Sequence, residues 1–181
     1  KGIGFSYNEY EPNSDEINFL SVLKYQAKEG DANSLYNYGI YILDFKDSIE
    51  SKAKAIEYIK EAADKGHVEA NYKYGKLLLK GIVTNESRMN AIDYFKFAAD
   101  HKEKKSMFYY GKILYEEDCL SDEAQTFISY IKESADLGYI KAMSYYGLLI
   151  LDGKISGKDK TEAVKYLQES ADLENPVSML Y

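Results

Sequence analysis

Cysteine occurs once in the 181 residues, as Cys119, so the chain can form neither an internal disulfide nor a multi-cysteine metal site. Proline occurs twice, as Pro12 and Pro176, both outside the periodic part, which leaves the rest open to long uninterrupted helices. No apolar run approaches the roughly 20 residues needed to span a bilayer, and no membrane insertion is expected. Basic residues are in deficit: 23 Lys and Arg face 30 Asp and Glu, giving a net charge of −7 and a pI near 5.0. That balance argues against general affinity for nucleic acid or an anionic membrane. The one basic patch, H-K-E-K-K at 101–105, reads as a solvated turn between helices. No leader peptide is visible, but the chain begins at Lys1 rather than methionine. The compartment stays open, with an intracellular one favoured by the single cysteine.

What is present is an internal repeat. Steps of 36 residues connect Gly39, Gly75, Gly111 and Gly147, each preceded by a tyrosine: Tyr38, Tyr74, Tyr110 and Tyr146. The same step connects Ala27, Ala63, Ala99, Ala135 and Ala171, and also Tyr58, Tyr94, Tyr130 and Tyr166. Two further ladders are Ile56, Ile92, Ile128, Val164 and Ile59, Phe95, Ile131, Leu167. Each unit reads as two helices. Helix A is expected near 33–44, 69–80, 105–116 and 141–152, and helix B near 52–64, 88–100, 123–137 and 160–173. Helix B of the first unit places Ala55, Ile56, Ile59, Ala62 and Ala63 on one stripe, with Lys54, Glu57, Lys60 and Glu61 facing solvent.

Glycines mark the turns. Gly30, Gly66 and Gly138 follow helix B at equivalent positions and suit left-handed caps. Lys102 and Glu174 replace them in the other units, where a differently made turn is expected. Gly81 and Gly153 stand in equivalent A–B loops, while Phe45 and Glu117 take that place elsewhere, so those loops should differ in shape. The mid-helix glycines cost about 0.5–1 kcal/mol relative to alanine. Close approach of helix B to helix A at that level explains them, with the Ala63 ladder as the expected opposing surface.

Four complete units are expected at 31–66, 67–102, 103–138 and 139–174, within one repeat domain at 17–181. A half-repeat at 17–30, with Ser14 or Asp15 as N-cap, precedes them, and 175–181 starts a further helix A. Residues 1–16 read as a flexible lead-in. The pattern stops in mid-repeat at both ends, which suggests a piece of a longer protein.

No catalytic constellation appears. His67 and His101 have neither H-x-x-x-H nor H-E-x-x-H spacing. Cys119 follows an acidic stretch that disfavours its thiolate. D-G-K-I-S-G-K-D at 152–159 lacks both the preceding strand and the ending of a phosphate loop. Neither a cofactor nor a metal is expected, and the chain reads as a non-enzyme.

The elements Ala70-x-x-x-Tyr74-Gly75-x-x-Leu78-x-x-Gly81 and Ala91-Ile92-x-Tyr94-Phe95-x-x-Ala98-Ala99 resemble the Sel-one-like repeat (SLR), a tetratricopeptide relative with a 36-residue unit. The resemblance covers about residues 20–181. The third unit departs most, carrying Phe127 where the others have alanine. What the resemblance implies is an all-α fold, a right-handed α/α superhelix, used as a scaffold or adaptor for other proteins. In that arrangement the helix A residues three before and one after each glycine face the concave groove. These are Tyr36, Ile40, Tyr72, Lys76, Phe108, Lys112, Ser144 and Leu148, and they would suit a peptide or protein segment bearing acidic and apolar groups. The alternative for Tyr72 and Phe108 is packing between adjacent A helices. Two further roles stay open: a regulatory or targeting segment of a larger enzyme, and self-association through uncapped ends.

Overall fold

The computed structural model describes residues 14–83, 88–117, 120 and 123–173. Expectations for residues 1–13, 84–87 and 174–181, and for Cys119, lie outside these. The chain divides into two compact units, one ending at Lys65 and the other beginning at Gly66. The first contains α1 (Ser14–Lys28), α2 (Ala32–Phe45) and α3 (Ile49–Asp64). The second contains α4 (Val68–Leu79), a 3-10 turn (Arg88–Asn90) and α5 (Ala91–Asp100). It continues with α6 (Lys104–Glu117), α7 (Ala124–Asp136), α8 (Ile140–Leu151) and α9 (Lys160–Asp172). The described residues contain no strand, and none of their helices is long and apolar enough to cross a membrane.

Helix starts follow from capping chemistry. Asp31 accepts the Ser34 amide at 2.8 Å, His67 Nδ1 accepts the Ala70 amide at 3.1 Å, and Glu103 accepts the Ser106 amide at 2.6 Å. These three positions are 36 residues apart and supply an acceptor for the otherwise unpaired first-turn N–H groups. Ser14 and Asp15 prove to lie inside α1 rather than capping it.

The mid-helix glycines sit at close crossings, but the facing surface differs from the expected one. A Cβ on Gly39 would lie 2.8 Å from Ile59 Cγ1, on Gly75 2.9 Å from the Phe95 ring, and on Gly147 2.8 Å from Leu167 Cγ. On Gly111 it would lie 2.6 Å from the Phe127 carbonyl oxygen. The opposing residues are thus the Ile59, Phe95, Ile131, Leu167 ladder and the backbone just before it, one turn ahead of the Ala63 ladder. Ala27, Ala63, Ala99 and Ala135 are buried, whereas Ala171 is half-buried. Beside each crossing the two tyrosine ladders meet edge to face: Tyr38–Tyr58, Tyr74–Tyr94, Tyr110–Tyr130 and Tyr146–Tyr166, with centroids 4.9–5.4 Å apart. Such pairs contribute about 0.5–1.5 kcal/mol beyond the area they bury.

The turns after helix B repeat one geometry. Gly30, Gly66 and Gly138 have φ of 84°, 84° and 79°. Lys102 does not make its turn differently: its φ is 63°, and its amide reaches Ala99 O at 2.9 Å while Glu103 N reaches Ala98 O at 3.0 Å. The same pair of bonds closes the turn at Gly138 and Tyr139. The hydrogen-bond pattern that satisfies the last carbonyls of α5 therefore overrides the left-handed penalty of a side chain, about 1–2 kcal/mol. Gly81 and Gly153, with φ of 68° and 67°, close the A–B turns alike, and Val83 and Ile155 beyond them are buried. After α2 the chain instead leaves through Lys46 in extended backbone.

Candidate functional site

The expected groove residues fall on α2 in the first unit and on α4, α6 and α8 in the second. Tyr36 and Ile40 are both half-buried on α2. In the second unit, α4 and α6 face each other through aromatic and cationic side chains. Tyr72 is half-buried, with ring centroids 6.4 Å from Phe95 and 6.3 Å from Tyr109. Lys76 donates to Tyr109 Oη at 2.7 Å, and its ammonium lies 3.9 Å from that ring's centroid. Lys105, exposed at the start of α6, places its ammonium 5.3 Å from the Tyr72 ring.

Between α6 and α8, Phe108 is buried at 4% exposure, edge-on to Tyr139 at 5.5 Å and to Tyr145 at 5.7 Å. Lys112 is occupied by Glu116 at 2.7 Å and lies 5.2 Å from the Tyr145 ring centroid. Ser144 is also buried, its hydroxyl 2.6 Å from Ser170 Oγ and 3.2 Å from Ile140 O. Leu148 is half-buried. The packing alternative thus describes Phe108, Ser144 is instead buried against Ser170 of α9, and Tyr72, Lys76 and Leu148 combine packing with a surface share. Among the described residues no group of three or more His, Cys, Asp or Glu is placed to hold a metal.

Tyr109 was missed in the sequence and is the centre of this cluster. Burial opposes its ionisation, but the Lys76 hydrogen bond and charge, with Lys141 nearby and a hydrogen bond to Tyr139, hold its phenol below the ordinary value. Tyr139 moves the opposite way, pushed up by burial and then by its Tyr109 and Tyr72 neighbours. Between them the two tyrosines and Lys76 join α4, α6 and the N-cap of α8. The signal that could have found Tyr109 is its 36-residue counterpart Tyr145, which likewise meets a lysine.

A Sel1 repeat model matches residues 32–67, 68–102 and 140–175, more than half of the chain. No curated protein matches it. Among solved structures, one similar to it is c5321, a protective antigen present in uropathogenic Escherichia coli strains and displaying an SLR fold. The TM-score is 0.77 at 19% identity, over 92% of this chain and 36% of that one. A second is a Sel1 repeat protein from Oxalobacter formigenes, with TM-score 0.72, 20% identity, and coverage of 90% and 66% respectively. An immunity protein of Pseudomonas aeruginosa, Pa5087, follows at TM-score 0.52 and 16% identity, over 84% of this chain and 56% of that one. At such identities the likeness concerns the fold.

Proposed function

The chain belongs to the Sel1 repeat family, whose fold serves protein interaction and whose solenoids are generally non-catalytic scaffolds, and on that premise we propose that it is a scaffold or adaptor binding its partner on the helix A face. The partner segment is a peptide or protein stretch carrying both acidic and apolar side chains. The observation that carries this reading is the Tyr72–Lys76–Lys105–Tyr109 cluster. Four aromatic and cationic groups from α4 and α6 lie together on an otherwise acidic chain. Rings of this kind supply rigid contact area at low entropic cost, and half-buried Lys76 with exposed Lys105 gives the face a cationic character that favours carboxylates. Leu148 extends the same face on α8, and Phe108 and Ser144 shape it from beneath; Tyr36 and Ile40 hold the equivalent positions on α2 of the first unit.

Photo-crosslinking tests the proposal. A photoreactive residue replaces Lys105 or Leu148 on the helix A face, or Lys165 on the exposed side of α9. The expected result is one partner captured from the first two positions and not from Lys165, and lost when Lys76→Glu is added. Capture from Lys165 alone, or capture indifferent to Lys76→Glu, would falsify the assignment.

A further inference from the structure

The repeat has a charge register, and α1 breaks it. In α3, α5 and α7 a lysine pairs with an aspartate four residues on: Lys60–Asp64 at 3.3 Å, Lys96–Asp100 at 2.8 Å and Lys132–Asp136 at 2.6 Å. Asp136 also accepts a hydrogen bond from the Tyr166 hydroxyl. One step earlier, the lysine position is Lys24 of α1 and the aspartate position is Lys28. The carboxylate that neutralises the lysine elsewhere is here a second cation.

Two more lysines converge on the same place. Lys46, leaving α2, and Lys54 of α3 join Lys24 and Lys28 around a cavity of about 320 Å³, floored by the Tyr38–Tyr58 pair. The residues 36 further on from Lys46 and Lys54 are Ile82 and Asn90, so this concentration belongs to the first unit. Among the described residues none of the four lysines is ion-paired, although neighbouring Lys52, Lys60 and Lys65 all are. Tyr58 occupies the place of Tyr166 but has Lys28 where Tyr166 has its acceptor. Burial, followed by Tyr58 and Tyr41, pushes the Tyr38 hydroxyl up, so that hydroxyl remains a donor.

We propose that this cavity between α1, α2 and α3 binds a phosphomonoester carried on an aromatic group. Four ammonium groups, three phenols and the Ser51 hydroxyl, with no carboxylate among them, favour a ligand rich in acceptors. A dianion balances that charge better than a single carboxylate, and ammonium groups bind phosphate as point charges. The carrier has apolar wall to lie against: Ile42 lines the cavity, as does Tyr41, stacked on Tyr38 with centroids 6.5 Å apart. Tyr38 and Tyr36 are two residues apart on α2, which turns them about 200° from each other. The cavity therefore lies on the other side of α2 from Tyr36 and Ile40, and the inference stands apart from the partner face above.

Calorimetric titration of the 181-residue chain with phenyl phosphate, inorganic phosphate and phenol tests it. Phenyl phosphate is expected to bind roughly tenfold or more tightly than either component alone, and to weaken as salt screens the lysines. The double variant Lys24→Gln/Lys54→Gln changes two exposed side chains, and an unchanged thermal melt establishes that it folds. It should lose about tenfold or more in affinity, while Lys52→Gln, already paired to Asp47, should bind as the parent does. A phosphotyrosyl peptide that binds more tightly than phenyl phosphate assigns the group to a protein partner. One that binds equally or less tightly assigns it to a small phosphorylated molecule. Absence of phenyl phosphate binding at millimolar concentration, or binding that survives the double variant, overturns the site. Inorganic phosphate binding as tightly as phenyl phosphate overturns the aromatic carrier.

Discussion

Replacing Gly111 with alanine measures how much the helix crossing matters. On an unopposed helix the change would stabilise by roughly 0.5–1 kcal/mol, because alanine restricts the unfolded chain and glycine does not. At Gly111 the new methyl group would stand 2.6 Å from the Phe127 carbonyl oxygen and 3.0 Å from both Ile131 Cγ1 and Tyr130 Cβ. The nearest of these is helical backbone of α7, so it cannot turn aside, and the helices must separate. Overpacking of this kind costs about 1–3 kcal/mol, and a backbone contact belongs at the upper end. Subtracting the propensity gain leaves a net loss of about 2 kcal/mol, or about 4–8 °C in melting temperature for a chain of this length. Urea unfolding followed by far-UV circular dichroism should show the midpoint falling more for Gly111→Ala than for Gly75→Ala, whose nearest neighbour is a Phe95 side chain. A Gly111→Ala midpoint equal to or above the parent's would refute the close-approach argument.

Two other outcomes follow from the same packing. Ser106 has a fully buried hydroxyl with no hydrogen-bond partner among the described residues, while the equivalent residues Ala70 and Ala142 have no hydroxyl, so Ser106→Ala should raise stability by about 1 kcal/mol; a lower urea midpoint would contradict this. In an alkaline titration followed by tyrosinate absorbance, Tyr109 should ionise below the ordinary 10.0, and Lys76→Met should abolish that early step. The sign is fixed by linkage: a phenol lowered in the fold adds stability as pH rises past its folded value. Those raised by burial, Tyr38, Tyr110, Tyr139, Tyr146 and Tyr166, lose stability above about pH 10. Five outweigh one, so the urea midpoint should fall above about pH 10, and a rise there would contradict the balance.

The sequence ladders located every helix to within a few residues, because a 36-residue step repeats the same buried face in each unit. They could not say which of two apolar ladders meets the glycine. Ile59 and Ala63 lie one turn apart on one face of α3, and periodicity fixes the face but not the height along it. Lys102 misled for a different reason. Its side chain argues against a left-handed turn, yet the carbonyls of Ala98 and Ala99 impose one. Phe127 marks the third unit as the most divergent in sequence, yet its carbonyl makes the shortest glycine approach of all four. In the candidate site, Lys76 and Tyr72 were legible from repeat position, whereas Tyr109 lies one residue off the inferred stripe and enters only through its contacts with α4.

The order in which the helices pack also bears on how the protein is made. Within the unit beginning at Gly66 the main packing runs α4 to α5, α5 to α6, and so on to α9, always between consecutive elements. Few contacts must wait for a distant stretch of chain, so the loop-closure entropy that slows non-local folds is small here. As the chain leaves the ribosome, each helix finds its first partner in the one made just before it. The aromatic interiors of Tyr74–Tyr94 and Tyr110–Tyr130 can then close in turn, and only the newest helix has an apolar stripe still exposed.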